Sequence, residues 1–568
     1  MSENHSFFTY REKNDQDLSF WLKWRNRLAI AIILYAVGFA TACIFAPLEW
    51  SWFSWIFLTP AFVYILKRRF QHTFKGTYFF FWGHFTLSFY WLSQVIPPAA
   101  VVVAAICAFM PAMAMKNIVQ LYRFLDTEKY MDLYPQVTHN GIQMPTILLA
   151  KKEPIFILLA SAIWVTWEWV RSWVFTGFPW NYVGQAFWDS ATLTKLLPYT
   201  GIYGLSFVVI IVNFMMFCIL YRFYMRQHDK KAITNLWKKP VLYVSLFPLS
   251  LCFILPVLPE MKSKGSIRVL AIQGNLEQMR VPSREQLYRA MDVYQHLTIQ
   301  GVYTEKPDLV LWPETAIPYA LLSSDMAPYL DPILNEIWPA SLLAGTITYR
   351  QIFGEEHEYN SLVLMDKKDK EQFFYDKIHT VPFGEYTPLG DYMPDKLKEH
   401  PLFVRGLTAG KLYRILEFKG YKIGFNICYD DAYPDVTYGA RRNGAEAIIT
   451  VSNDAWYRET SGSYQHLTHS VVRAIESGIP TLRNGNNSDT CLILPNGTIV
   501  DPLVSPDGNP FYRGFKFYDL PILADQQMTF YVRYGNWFAW LCSLITVVCW
   551  ILMFIRFYRK KEKLQESV

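Results

Sequence analysis

Long apolar runs separated by short polar loops make up most of the first half of the chain, and one more run lies near the C-terminal end. A helix that crosses a bilayer needs about 20 predominantly apolar residues. The pattern predicts eight membrane-spanning helices, near residues 27–46, 50–66, 76–95, 98–115, 154–175, 202–221, 241–257 and 532–556. The second and seventh of these runs are the shortest.

Lysine and arginine are concentrated in alternate connections between these runs. They cluster before the first run, near 67–75, near 222–239 and in the C-terminal tail, whereas the loops at 47–49 and 96–97 contain none. Cytoplasmic loops of membrane proteins carry the excess of basic residues. The alternation therefore predicts that both termini are cytoplasmic and that residues 260–530 lie on the periplasmic face of a bacterial inner membrane.

Between residues 260 and 530 the apolar runs become short and alternate with polar stretches. Runs rich in β-branched residues predict strands, and the longer amphipathic stretches predict helices. The predicted strands are 266–272, 308–312, 340–347, 361–365, 421–427 and 447–451, and the predicted helices are 283–301 and 462–478. This alternation indicates an α/β domain.

The composition is that of a membrane protein with one large water-facing part. The chain has 568 residues, of which 52% are hydrophobic and 18% are charged, against about 25% charged in soluble proteins. The net charge of +6 lies largely in loops beside apolar runs, which indicates membrane topology and not nucleic-acid binding. We expect an N-terminal membrane domain (1–259), a periplasmic domain (260–530) and a C-terminal spanning helix with a basic tail (531–568).

A charged pair and an aromatic turn interrupt the apolar pattern at the end of the fifth run. Glu168 and Arg171 are three positions apart, and the sequence TGFPWN follows at 176–181. Charges at this depth face protein or water, so the pair is either a salt bridge that packs helices or a substrate-facing group. Because Trp is common at membrane interfaces, the turn alone predicts an interfacial anchor.

Three polar groups each lie just after a short strand-like run of the α/β domain. They are Glu314 in WPE, Lys377 in YDKIH and Cys428 in NICYD. Singly, each has an ordinary explanation as a solvated carboxylate, a surface cation or a small buried thiol. Together they form a chemical set, because a carboxylate can deprotonate a thiol and a lysine can stabilise the oxyanion formed on an acyl carbon.

Two other arrangements of the same cysteine remain open at this point. His379, His466 and His469 are available for a Cys–His protease site, although none lies in a recognisable protease motif. Cys428 and Cys491 are the two cysteines of the α/β domain, and they are able to pair in an oxidising compartment. The chain contains no CxxC pattern and no phosphate-binding loop, so we expect neither a metal nor a nucleotide cofactor.

Several further motifs carry a specific resemblance. With its Glu, Lys and Cys motifs, the sequence resembles the carbon–nitrogen hydrolase (nitrilase) superfamily. The eight predicted spans make it similar to the membrane-bound apolipoprotein N-acyltransferase family within that superfamily, from about residue 27 to 556. The shared motifs are TGFPWN, QGN (273–275), WPET (312–315), YDKIHTVPFGEYTP (375–388), ICY (427–429), SNDAWY (452–457), QHL–RAIESG (465–478) and TFYVRYGNW (529–537).

This resemblance implies an αββα sandwich and a ping-pong reaction without a cofactor. A fatty acyl chain would pass from a membrane phospholipid to a cysteine thioester. It would then pass to the N-terminal amine of the diacylglyceryl-cysteine of an apolipoprotein. We expect a monomer embedded in the membrane. The alternatives are a membrane-anchored amidase or nitrilase that uses water as the acceptor, and a scaffold protein with a lapsed catalytic fold.

The resemblance also assigns roles to individual residues. Cys428 would be the nucleophile, Glu314 the general base and Lys377 the oxyanion stabiliser. The supporting positions are Glu385, Tyr429 and Asp430, and the substrate-binding positions are Asn453 and Trp456. Two residues depart from the family pattern: Asp430 stands where the family usually has Glu, and Ser488 where it usually has Gly.

Overall fold

The molecule is known from a computed structural model, and its described residues fall into two compact units. One unit comprises Met1–Glu168, Val209–Leu246 and Cys542–Val568, and the other comprises Trp169–Val208 and Phe247–Leu541. The structure describes residues 25–67, 72–126, 138–139, 142–143, 152–226, 240–256, 262–278, 283–320, 327–369, 372–388, 390, 406–524 and 527–565.

Among the described residues, five helices are long and apolar enough to cross a membrane. They are Arg25–Ile44, Ala99–Leu125, Glu153–Arg171, Leu193–Leu220 and Trp537–Arg559. Each corresponds to a predicted span. The other three predicted spans match the shorter apolar helices Ser51–Leu66, Thr73–Ser88 and Pro240–Ile254, so the count of eight stays a prediction. Most basic residues of the N-terminal segment and of the 222–239 loop lie outside the described residues.

Glycines let two helices of the first unit approach closely. A Cβ atom at Gly38 would lie 1.8 Å from the Phe80 carbonyl oxygen, and one at Gly83 would lie 1.9 Å from the Tyr35 carbonyl oxygen. Small residues at helix contacts are typical of membrane proteins. A larger side chain at either position would force the two backbones apart.

In the connection after Ala99–Asp126, the two-residue strands Thr138–His139 and Ile142–Gln143 pair antiparallel.

A seven-stranded sheet forms one half of the α/β part of the second unit. Its strands are β1 (Ser263–Gln273), β2 (Leu309–Leu311), β3 (Ile317–Ala320), β4 (Ser341–Ile352), β5 (Glu355–Met365), β6 (Phe373–Asp376) and β13 (Gly514–Leu523). Their order is β13-β1-β2-β4-β5-β6, with β3 also paired to β4. Strands β1, β2 and β4 run parallel, so their carboxyl ends meet at one edge.

A six-stranded sheet forms the other half. It contains β7 (Leu416–Phe418), β8 (Tyr421–Ile427), β9 (Ala447–Ser452), β10 (Thr481–Gly485), β11 (Cys491–Ile493) and β12 (Ile499–Val500). Its order is β12-β11-β10-β9-β8-β7, with β8, β9 and β10 parallel. Hydrogen bonds join the inner faces of the two sheets: Asn484 Nδ2 donates to the Leu311 carbonyl oxygen at 3.1 Å and Thr490 Oγ1 donates to Gln273 Oε1 at 2.6 Å.

Helices cover the outer faces and complete the expected αββα sandwich. Helices α1 (Arg284–Thr304) and α2 (Ala327–Ile337) pack on the seven-stranded sheet, where a core that includes Met291, Trp312 and Ile333 is fully buried. Helices α3 (Pro434–Arg442) and α4 (Ser461–Ser477) belong to the six-stranded half, and the short α5 (Phe530–Tyr534) follows β13.

All six predicted strands and both predicted helices of the α/β part are confirmed. The sequence pattern misses the other seven strands, β3, β6, β7 and β10 to β13, and the helices α2, α3 and α5. Strand β13 contains Pro521, which argues against a central strand, but among the described strands β13 lies at the edge and pairs with β1 alone. A proline is tolerated at a sheet edge because its missing N–H faces away from the ladder.

Candidate active site

The carboxylate of Glu314 lies just beyond the end of β2 and is held from three sides. Its Oε1 accepts hydrogen bonds from Asn360 Nδ2 at 2.7 Å and Lys377 Nζ at 3.0 Å, and its Oε2 accepts one from the backbone N–H of Asn453 at 2.9 Å. A Cβ atom at Gly345 of the neighbouring β4 would lie 2.6 Å from Glu314 Cα. The glycine therefore lets the Glu314 turn pass against the sheet.

The ammonium group of Lys377 lies between two carboxylates. Lys377 follows β6, and its side chain is 1% exposed. Nζ lies 3.0 Å from Glu314 Oε1 and 2.9 Å from Glu385 Oε1. Burial by itself would lower the pKa of Lys377, but Glu314 and Glu385 raise it well above the ordinary value. The lysine is therefore a fixed cation of the site.

Cys428 begins a tight turn at the end of β8. Its φ angle is +49°, a left-handed conformation that is uncommon for a residue with a side chain and that clusters at functional sites. The residue is 6% exposed. Burial first and the Glu314 carboxylate second raise the pKa of the thiol well above its ordinary value, while Lys377 lowers it. The thiol is thus protonated at rest and needs a base to react.

Glu385 and Asn360 complete the ring of groups around the lysine. Glu385 Oε2 accepts a hydrogen bond from the Val381 N–H at 2.8 Å, which fixes the loop after Lys377. Asn360 Nδ2 donates to both Glu314 Oε1 and Glu385 Oε1. The sequence pattern does not identify Asn360, because a polar residue within a strand carries no local signal of function.

Asp430 links the turn that holds Cys428 to the loop that holds Lys377. Its carboxylate accepts hydrogen bonds from the N–H groups of Ile427 at 3.1 Å, Ile378 at 3.1 Å and His379 at 2.8 Å. Burial raises the pKa of Asp430 to about 6, against the lowering effect of His379 and Lys377. The predicted supporting role of Asp430 thus has a geometric basis.

The TGFPWN turn packs against Tyr429, the residue after Cys428. Trp180 is 1% exposed, its ring centroid lies 6.4 Å from that of Tyr429, and its Nε1 donates to Gln465 Oε1 at 2.9 Å. The Tyr429 hydroxyl donates to the Gly177 carbonyl oxygen at 3.4 Å. The interpretation of Trp180 as a lipid-interface anchor is therefore wrong, because its polar atom and its ring face protein.

Arg171 organises this turn from the end of the fifth span. Its Nη1 donates to the carbonyl oxygens of Phe178 at 2.9 Å and Trp180 at 2.7 Å, and its guanidinium lies 5.0 Å from the centre of the Tyr182 ring. Arg171 therefore fixes backbone carbonyls next to the site, a role that the two sequence interpretations did not include.

The two predicted substrate-binding residues differ in what they contact. Asn453 is buried, and its side chain bonds to Gln278 and Asn486 while its backbone N–H holds Glu314. Trp456 is half-buried in the turn Asp454–Tyr457 that follows. The geometry places Asn453 as a support of Glu314, and Trp456 stays a prediction as a substrate contact.

The alternative uses of Cys428 lose their support. All eight cysteines are free thiols, including Cys491. The rings of His379 and His466 are paired with carboxylates, and His469 accepts a hydrogen bond from Gln185. The role of Glu314 as the general base stays a prediction.

Cys428, Asp454 and His466 offer atoms within 4.8 Å of one another, which is a spacing suited to a metal ion. Both imidazole nitrogens of His466 are already paired with carboxylates, and Arg483 binds the second oxygen of Asp454. The donor set therefore fits a network of ion pairs better than a metal centre.

Comparison with known proteins agrees with this geometry. The family model "Apolipoprotein N-acyltransferase N-terminal domain" matches residues 37–215, and "Carbon-nitrogen hydrolase" matches residues 285–507. An apolipoprotein N-acyltransferase of Rickettsia prowazekii is 28% identical over 91% of this chain and 97% of its own length. One from Brucella suis is 32% identical over 59% of this chain and 63% of its own length.

Among solved structures, a mutant of the Nesterenkonia AN1 amidase from the nitrilase superfamily covers 49% of this chain and 97% of its own, with 14% identity and a TM-score of 0.36. The paired sheets and the buried Glu, Lys and Cys agree with the carbon–nitrogen hydrolase model that matches this part of the chain. With its apolar helices, the chain is similar over most of its length to apolipoprotein N-acyltransferases.

Proposed function

We propose that the protein transfers a fatty acyl chain from a membrane phospholipid to the N-terminal amine of a diacylglyceryl-cysteine in an apolipoprotein, through a thioester on Cys428. The observation that carries this proposal is the convergence of Glu314, Lys377 and Cys428 at strand ends in a chain with membrane-spanning helices. The names of the relatives support the same activity.

In the first half-reaction Glu314 takes the proton from the thiol of Cys428. The thiolate attacks the carbonyl carbon of a phospholipid ester, and the electron pair of the C=O bond becomes an oxyanion. Lys377 Nζ and the backbone N–H of Tyr429 stabilise that charge. When the tetrahedral intermediate collapses, the C–O bond to the lysophospholipid breaks, and its alkoxide takes the proton from Glu314.

In the second half-reaction the amine of the acceptor attacks the thioester carbon. Glu314 receives a proton from the amine, and the same two donors stabilise the second oxyanion. The C–S bond then breaks, the amide forms and Cys428 recovers its proton from Glu314. Because burial keeps the resting thiol protonated, each step couples proton transfer to bond formation.

The membrane helices suit substrates that stay in the bilayer. Each buried CH₂ group is worth about 0.8 kcal/mol, so a fatty acyl chain does not leave the bilayer readily. We propose that both termini are cytoplasmic, that residues 260–530 act on the periplasmic side and that the protein acts as a monomer. Trp456 is proposed to contact substrate, with Tyr429 and Asn453 shaping the site around it.

The test is the intact mass of the purified protein after incubation with phospholipid alone. We compare wild type, Cys428→Ser and, as a matched control, Cys491→Ser, which changes another buried cysteine of the same sheet. Wild type and the control are expected to gain one acyl chain that a diacylglyceryl peptide with a free amine removes, and Cys428→Ser is expected to gain none.

An adduct that water removes as fast as the peptide does would overturn the transferase and favour the hydrolase. A protein that gains no acyl chain, or a Cys428→Ser variant that gains as much as wild type, would also contradict the proposal.

A further inference from the structure

Four fully buried charged side chains lie together behind Cys428. Asp431 follows it in the same turn, Asp454 follows β9, His466 lies on α4 and Arg483 lies on β10. The side chains of these residues are between 0% and 2% exposed. Burying charges is costly unless they are paired, so their mutual arrangement decides their charge states.

The partners of His466 require both of its ring nitrogens to carry a proton. Nδ1 lies 2.7 Å from Asp454 Oδ1. Nε2 lies 3.0 Å from Asp431 Oδ1 and 3.2 Å from the carbonyl oxygen of Cys428. Ionised carboxylates and carbonyls only accept hydrogen bonds, and a neutral imidazole has only one N–H.

Arg483 keeps the two carboxylates ionised. Its Nη1 lies 2.8 Å from Asp431 Oδ2 and its Nη2 lies 3.0 Å from Asp454 Oδ2. With two carboxylates, one guanidinium and one imidazolium, the cluster has no net charge. Removal of one member leaves a buried charge without its counter-ion.

This cluster touches the nucleophile in two ways. The imidazolium binds the carbonyl of Cys428, the residue whose φ angle is +49°. In addition, a carboxylate oxygen of Asp454 and a ring nitrogen of His466 lie within 4.8 Å of the thiol sulfur. The thiol therefore lies close to one negative and one positive group that balance each other.

We propose that His466 is a positioning residue for Cys428: its imidazolium holds the left-handed turn through the Cys428 carbonyl and neutralises the Asp454 carboxylate that would otherwise oppose formation of the thiolate. This inference rests on the proposed function only for the consequence that acylation slows. The effect on the thiol itself does not require an acyl substrate.

The other charged groups around the thiol and the imidazole do not replace His466. Glu314, Lys377 and Glu385 also act on the thiol, and in that group two carboxylates flank one ammonium. On its own helix, His469 is kept neutral, because burial lowers its pKa well below the ordinary value. Tyr457 faces the same region and stays a neutral phenol, because burial and then Cys428 raise its pKa.

The direction of the His466 shift agrees with the geometry. Burial by itself would lower the pKa of His466, but Asp431 and Asp454 raise it to about 10. Burial by itself would raise the pKa of both carboxylates, but His466 and Arg483 lower it. Hence the cluster keeps its charges across the neutral range of pH.

The experiment measures how the alkylation rate of Cys428 in the folded protein depends on pH, by mass spectrometry of its peptide. Three variants are compared with wild type: His466→Gln, Asp454→Asn and the double variant. The matched control is His296→Gln, the same change at an exposed histidine of α1. No phospholipid is present, so a failure of the acyltransferase proposal does not affect the result.

The variants are expected to shift the thiol pKa in opposite directions. His466→Gln leaves the cluster with one excess negative charge and should raise the thiol pKa by one unit or more, which slows alkylation at neutral pH at least about tenfold. Asp454→Asn leaves the cluster with one excess positive charge and should lower the thiol pKa. The double variant removes one charge of each sign and should return the pKa towards that of wild type.

A merely structural role predicts a different result. In that case both single variants would move the alkylation profile in the same direction or leave its midpoint unchanged, and the double variant would be the most damaged. Either outcome overturns the proposal. If His466→Gln does not fold, as judged by its thermal unfolding in detergent, Asp454→Asn and the double variant still decide between the two results.

Discussion

Asn360 provides a quantitative test of how the site is held together. Its Nδ2 donates to Glu314 Oε1 at 2.7 Å and to Glu385 Oε1 at 2.9 Å. We consider Asn360→Leu, which keeps a similar size and removes both donors. Lys377 remains between the same two carboxylates, but each carboxylate loses one of its hydrogen bonds.

The magnitude follows from the number and type of bonds lost. Hydrogen bonds to charged groups contribute about 1.5–3 kcal/mol each, so two bonds at the lower end contribute about 3 kcal/mol. If the orientation of Glu314 in the transition state depends on them, the same energy corresponds to a rate loss of about 100-fold, since a factor of ten is about 1.36 kcal/mol.

The assay is single-turnover formation of the acyl-enzyme, together with thermal unfolding in detergent. Asn360→Asp has the same shape but adds a third carboxylate beside Glu314 and Glu385, so it should lose at least as much activity as Asn360→Leu. The control is Asn443→Leu, which removes one neutral hydrogen bond at the exposed end of α3 and should change the acylation rate less than about twofold. Acylation by Asn360→Leu within twofold of wild type would refute the reasoning.

Two further predictions concern Asp430 and Trp180. Because burial raises the pKa of Asp430 to about 6 in the folded state, above the ordinary 3.8, its ionised form costs stability above pH 6. This cost disappears as the pH falls from about 6 towards 4. As the pH falls over that window, the unfolding temperature of wild type should therefore rise relative to that of Asp430→Asn. A constant difference between the two unfolding temperatures would contradict the prediction. Trp180→Ala removes a buried ring and should lower the free energy of unfolding by about 3–5 kcal/mol, whereas Trp180→Phe loses one neutral hydrogen bond and should cost about 1 kcal/mol. Equal unfolding temperatures for the two Trp180 variants would contradict that difference.

The three polar residues near strand ends could be identified from the sequence. Glu314, Lys377 and Cys428 each follow a short apolar run, and strands in a packed sheet bring such endings to a common edge. The structure brings the three groups together, as their ion pairs and mutual effects on the pKa values show. Local pattern was sufficient for Glu314 and Cys428, which follow predicted strands, whereas β6, which precedes Lys377, was not among the predicted strands.

The roles of groups that depend on packing between distant elements could not be predicted from the sequence. Asn360 lies within β5, and Asp454, His466 and Arg483 come from three elements that meet only after the six-stranded half has folded. Trp180 was misjudged because a tryptophan at the end of a predicted span fits a membrane interface as well as it fits the protein interior. In each case the deciding contact joins residues far apart in sequence.

The link made by Asp430 has a consequence for how the site is built. Lys377 follows a strand of the seven-stranded sheet, whereas Cys428 follows a strand of the six-stranded sheet. The Asp430 carboxylate joins the two through backbone N–H groups on both sides. Cys428, the proposed nucleophile, and Lys377, the proposed oxyanion stabiliser, thus belong to different halves of the sandwich and are joined through Asp430. Neither half alone contains a working site, so activity reports on the docking of the two sheets as well as on the chemistry.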